Sequence, residues 1–99
     1  MIMKRLEEIE KTIRDHKEFL KQKYGVKEIG IFGSYVKGRQ KEDSDLDILV
    51  DFEKNIGLIK FIELENYLSD ILGIKVDLVM RDALKPRIGK QILKEVIYL

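Results

Sequence analysis

Apolar residues recur along the chain with two distinct periods. Ile2, Leu6, Ile9, Ile13 and Leu20 fall at helical spacing, Phe19 sits beside the last, and charges fill the gaps. That pattern predicts one amphipathic helix over about residues 2–23, broken at Gly25. Val26 to Phe32, rich in β-branched and aromatic residues, predicts a first strand. A short helix is expected to start at Ser34, which can cap it, and to stop at Gly38. Asp45 to Phe52 reads as a second strand. Leu58, Ile59, Phe61, Ile62, Leu64, Leu68, Ile71 and Leu72 then sit at spacings of three and four, so about 57–72 is a helix, ended by Gly73. Ile74 to Met80 is a third strand. Arg81 to Lys85 is a connector, and Pro86 fits the first turn of a last helix with Ile88, Ile92, Leu93, Val96 and Ile97 on its apolar side. The apolar end, Val96 to Leu99, either completes the core or docks a partner. The order α-β-α-β-α-β-α predicts the α+β class: a small mixed sheet with helices packed over it.

Ninety-nine residues bound the chain at one domain, 1–99, with a modest core. Nineteen basic residues balance eighteen acidic ones, and a net charge of +1 exerts no global pull on nucleic acid or membrane. Any anion site must therefore be local. The chain has no cysteine, which excludes a disulfide framework and a cysteine-bound zinc. No apolar run approaches the ~20 residues needed to cross a bilayer, and the first residues are too acidic and too broken for a signal peptide. A soluble, cytoplasmic protein is the expectation. Abundant Lys, Glu and Arg are compatible with a heat-adapted source. The single histidine, His16, reads as a helix-surface residue, since no partner residues cluster near it in sequence.

Candidate chemistry concentrates between Gly33 and Asp47, in the stretch GSYVKGRQKEDSDLD. In a strand, residues two apart share a face, so Asp45 and Asp47 point one way while Leu46, Ile48 and Val50 point the other. Two carboxylates about 7 Å apart on one face can share a hard cation such as Mg²⁺. Asp77, flanked by Val76 and Leu78, is costly if buried alone. A neighbouring strand about 4.8 Å away would let it complete a carboxylate triad; an edge-strand solvent charge is the alternative. Gly33 lacks the Cβ that would keep backbone amides from a phosphate, and the Ser34 hydroxyl can meet a phosphate oxygen. Taken alone, Gly-Ser reads as a plain strand-to-helix turn; the downstream aspartates at their spacing reverse that preference. Lys37, Arg39 and Lys41 make a basic loop in which Lys37 could neutralise a triphosphate or simply be solvated. Ser44 is placed to order the loop carrying Asp45. Asp51 reads as a rim charge.

A Gly-Ser pair, ten residues, and then Asp-x-Asp opening a hydrophobic strand resembles the signature of the polymerase-β-type nucleotidyltransferases. The length and the tail, Asp82-Ala83-Leu84-Lys85-Pro86-Arg87 through Ile92-Leu93-Lys94-Glu95, resemble the minimal nucleotidyltransferases paired with small HEPN-domain proteins. The resemblance implies the nucleotidyltransferase fold, with Gly33, Ser34, Lys37 and Ser44 on the nucleotide and Asp45, Asp47 and Asp77 as catalytic metal ligands. It also implies ATP as substrate and two Mg²⁺ ions. Family members often carry Arg at the position of Lys37; lysine keeps the charge and loses bidentate phosphate recognition. Oxygen ligands leave Mg²⁺ against Mn²⁺ open.

A chain this short has no room for the domains that hold primers, tRNA or antibiotics in larger relatives, so the acceptor is expected on a partner. The resemblance implies a HEPN-type RNase toxin as that partner, with AMP passing to one of its tyrosine hydroxyls and this chain serving as antitoxin. A non-catalytic module that neutralises the toxin by occlusion is the alternative. Transfer onto nucleic acid or a small molecule lacks a supporting basic patch or second domain.

Overall fold

The computed structural model describes residues 6–41 and 43–99. Its order is α1 (Leu6–Tyr24), β1 (Val26–Phe32), α2 (Ser34–Lys37), β2 (Leu46–Phe52), α3 (Gly57–Leu72), β3 (Val76–Met80), a 3₁₀ turn (Arg81–Ala83), α4 (Pro86–Glu95) and β4 (Ile97–Tyr98). The expected helix over 2–23 is present from Leu6 onward, and its first residues, 2–5, lie outside the described residues. Gly25 ends it at a φ of 70°, a left-handed conformation that glycine adopts without strain.

The strands form one sheet in the order β3-β2-β1-β4. β2 runs antiparallel to β1 and parallel to β3, and β1 runs antiparallel to β4, so the sheet is mixed as expected. One face carries the apolar row of each strand, namely Ile29 and Ile31, Leu46, Ile48 and Val50, and Val76 and Leu78. Against it pack Ile9, Ile13 and Leu20 of α1 and Leu64, Leu68 and Leu72 of α3. These side chains are almost wholly withdrawn from water, and each contributes about 1.5–3 kcal/mol by area removed from solvent.

The end of the chain departs from expectation. Val96 and Ile97 do not extend the last helix. The backbone of Val96 is extended, with φ −62° and ψ 136°, and Ile97 and Tyr98 pair with Ile31 and Gly30 as a fourth strand. The Leu99 amide donates to the Ile29 carbonyl at 2.9 Å, and the Leu99 carbonyl accepts from Lys17 Nζ at 2.6 Å. The apolar end thus closes the β1 edge of the sheet. Gly30 permits this approach, because a Cβ there would meet Val96 Cγ2 at 2.6 Å and the Ile97 carbonyl oxygen at 2.9 Å.

The opposite edge, β3, is capped by side chains from α3. The Val76 amide donates to Ser69 Oγ at 3.0 Å and the Leu78 amide to Glu65 Oε2 at 2.9 Å. Glu65 and Ser69 are four residues apart on one helical face. They satisfy amides that would otherwise template pairing with another chain.

Candidate active site

The second face of the sheet is acidic at one end. Strand alternation puts Asp47, Leu49 and Asp51 of β2 on this side. Phe32 lies opposite Asp47 across β1, and Asp77 lies opposite Asp47 across β3. Directly opposed residues of parallel strands share a face, with backbones about 4.8 Å apart. Asp77 therefore stands beside Asp47, exposed on the edge strand.

Asp45 lies one residue ahead of β2, not within it. The Leu46 amide donates to the Lys75 carbonyl at 2.9 Å, which fixes the mouth where β2 and β3 begin together. Ser44 orders the preceding loop: its Oγ accepts from the Lys41 amide at 2.8 Å, and its own amide donates to the Lys41 carbonyl at 3.0 Å. The charges interact across the mouth. Burial, followed by the charges of Asp77 and Asp45, pushes the Asp47 carboxyl above its ordinary range. Burial and then the Asp45 charge push the Tyr35 hydroxyl upward as well, which places the start of α2 against the same mouth.

Gly33 connects β1 to α2 at φ 81° and ψ −149°, a region essentially closed to side-chain-bearing residues. A Cβ at Gly33 would run into the Asp47 carboxylate, with the Asp47 Cγ 3.0 Å away. The glycine is thus required twice, by its dihedral angles and by the carboxylate seated against it. Ser34 does not cap α2. Gly33 occupies the cap position without a side-chain hydrogen bond, and Ser34 is the first helical residue. The Val36 and Lys37 amides both turn back to the Gly33 carbonyl at 3.1 Å. Gly38 closes the helix in the left-handed conformation, as expected.

Lys37 has a partner that the sequence did not reveal. Its Nζ lies 3.0 Å from Glu95 Oε1 at the end of α4, and Gln91 Nε2 donates to the same oxygen at 2.7 Å. Gln91 and Lys37 hold the Glu95 carboxyl below its ordinary range. A cavity of about 430 Å³ lies between α4 and the Phe32–Gly33 turn, with Lys37 and Glu95 in its lining. Arg87, Gln91 and Glu95 recur at steps of four, a polar row beside the apolar stripe of α4 that the sequence could have disclosed. Asp51 is a rim charge, as expected. It meets Arg81 at 3.8 Å and accepts from the Phe52 amide at 3.1 Å. His16 is a helix-surface residue whose Nδ1 lies 2.7 Å from the Thr12 carbonyl oxygen, and its ring meets Tyr67 edge-on.

The match to a divalent cation is one of donor type and register. All three carboxylates are hard oxygen donors, and Asp47 already carries the electrostatic strain of two unneutralised neighbours. Among the described residues, no group of three or more His, Cys, Asp or Glu side chains is placed to hold a metal ion, so what the structure itself brings together is the Asp47–Asp77 pair. A cation between like charges relieves that repulsion, as does a proton on one of them.

The nucleotidyltransferase domain family matches residues 13–99. The chain belongs to that family. It is 58% identical over 99 residues to the protein adenylyltransferase MntA of Thermococcus cleftensis, with both chains covered completely. A solved chain assigned as a minimal nucleotidyltransferase superposes with a TM-score of 0.85 at 33% identity, again over all of both chains. A toxin–antitoxin structure with AMP-PNP superposes with a TM-score of 0.69 at 28% identity, over 93% of this chain and 69% of that one. The fold is that of the minimal nucleotidyltransferases, and the chain is an enzyme of the nucleotidyltransferase class. Among the described residues no helix is long and apolar enough to cross a membrane.

Proposed function

We propose that residues 1–99 act as one domain that transfers AMP from ATP to a hydroxyl on a partner protein, and that the partner is a HEPN-type RNase toxin whose tyrosine accepts the group. The observation that carries this reading is the Asp47–Asp77 pairing across β2 and β3, with Gly33 seated against Asp47. The identity to a protein adenylyltransferase and the likeness to a toxin–antitoxin structure with an ATP analogue support the acceptor class.

In this mechanism the triphosphate lies along the Gly33–Ser34 turn. Backbone amides and the Ser34 hydroxyl donate to its oxygens, and Lys37 supplies a positive charge. The acceptor oxygen attacks the α-phosphorus in line. Its bond to phosphorus forms as the bond to the β-bridging oxygen breaks, and pyrophosphate departs. Asp77 receives the hydroxyl proton. Asp45 and Asp47, with Asp77, would hold divalent metal, Mg²⁺ by donor type. When bound, such ions neutralise phosphate charge and acidify the acceptor hydroxyl. Ser44 and the Lys41 amide keep Asp45 at the mouth.

Co-expression with the native toxin partner, followed by intact mass analysis, tests the proposal. Adenylyl increments on the partner that vanish with Asp45→Ala support transfer. Neutralisation without any increment, unchanged by Asp45→Ala, would replace it with occlusion.

A further inference from the structure

We propose that Glu95 is a positioning residue that parks Lys37 beside the phosphate turn and competes with polyphosphate for it, so setting how tightly nucleotide and pyrophosphate are held. This rests on the nucleotidyl-transfer reading above.

The two partners are unequal. Lys37 is 42% exposed on a flexible stem, whereas the Glu95 side chain is 17% exposed. Glu95 is held by Gln91 at 2.7 Å, and the backbone beyond it is pinned by the Val96 amide on the Ile92 carbonyl and by the pairing of β4 with β1. When a phosphate approaches, the lysine can swing and the carboxylate cannot follow. Lys37 also begins close to its target, since its amide bonds the Gly33 carbonyl and its side chain lines the same cavity as Gly33. A lysine paired at 3.0 Å presents a dipole rather than a full charge, and its attraction for phosphate is correspondingly weak. Glu95 therefore tempers the site. It limits retention of pyrophosphate after transfer and leaves Lys37 in place for the next nucleotide.

The test is a double-mutant cycle on the full chain, read by calorimetric titration with pyrophosphate and with AMP-PNP in the presence of Mg²⁺. Glu95→Gln is expected to tighten both by about two- to five-fold, the upper part of the range for one partly exposed charge pair. Lys37→Met is expected to weaken both by a similar factor, and Glu95→Gln on that background to change neither. In turnover, Glu95→Gln lowers KM for ATP, does not raise kcat, and increases inhibition by pyrophosphate. Glu95→Asp, with shorter reach, is expected to tighten binding partway, and it serves if Glu95→Gln fails to fold. Unchanged or weaker binding in the folded Glu95 variants would overturn the proposal, as would tightening that persists with Met at position 37. If the cycle fails while Asp47→Asn still abolishes transfer, only this inference falls. Normal transfer by Asp47→Asn would instead remove the reading beneath it.

Discussion

Replacing Gly33 with alanine separates the demands of the backbone from those of the site. The φ of 81° and ψ of −149° put Gly33 where a Cβ is strongly disfavoured, at a cost of about 1–3 kcal/mol. The new methyl also overlaps the Asp47 carboxylate, so that side chain must leave its present position. For a domain of this size, 2 kcal/mol lowers Tm by roughly 8–16 °C. A displacement of a reacting group by about 1 Å can cost on the order of 100-fold in rate. Gly38→Ala is the control. Its φ of 69° carries a left-handed penalty too, yet nothing lies within 4 Å of the added Cβ, so about 1–2 kcal/mol is lost with activity retained. Thermal melts and pyrophosphate release on the two variants, assayed well below both melting temperatures, check this. Equal activity in Gly33→Ala and Gly38→Ala would refute the claim that Gly33 positions Asp47.

Asp77→Asn is expected to keep or raise stability without divalent cations, because it relieves Asp47, and to abolish transfer; melts and turnover on one preparation decide this. The raised Asp47 pKa means the folded chain binds more protons than the unfolded chain above the ordinary aspartate range. Stability of the cation-free protein should therefore fall as pH climbs from that range through the raised value. In Tm–pH curves Asp47→Asn should flatten that slope, and added Mg²⁺ should raise Tm of the wild type more than of Asp47→Asn. Glu65→Ala removes the charged acceptor of the Leu78 amide and should cost about 1.5–3 kcal/mol. Hydrogen exchange should then show faster loss of protection at Leu78.

The alternating face of β2 and the acid inside β3 were legible because a period of two leaves no freedom about which side each residue takes. Their register was not, since pairing Asp47 with Asp77 rather than a neighbour depends on where β2 and β3 start, and the Leu46–Lys75 bond fixes that. The two-residue β4 gave no periodic signal. Val96 and Ile97 continue the apolar stripe of α4 by spacing, but the chain leaves the helix at Val96, and the free edge of β1 takes Ile97 and Tyr98 as strand. Ser34 looked like a cap because its residue type favours one, but the glycine before it had already taken that position. The Lys37–Glu95 pair and the Glu65–Leu78 bond join distant segments, and nothing local announces either.

In the proposed mechanism, Asp45, Asp47 and Asp77 together move AMP from ATP onto a partner hydroxyl. The most direct measurement reconstitutes the purified chain with its native partner, Mg²⁺ and ATP labelled at the α-phosphate, and counts label on the partner against pyrophosphate released. One label per pyrophosphate with the wild type, and neither with folded Asp47→Asn or Asp77→Asn, is the predicted result. Label transferred at the wild-type rate by either folded variant would contradict the account.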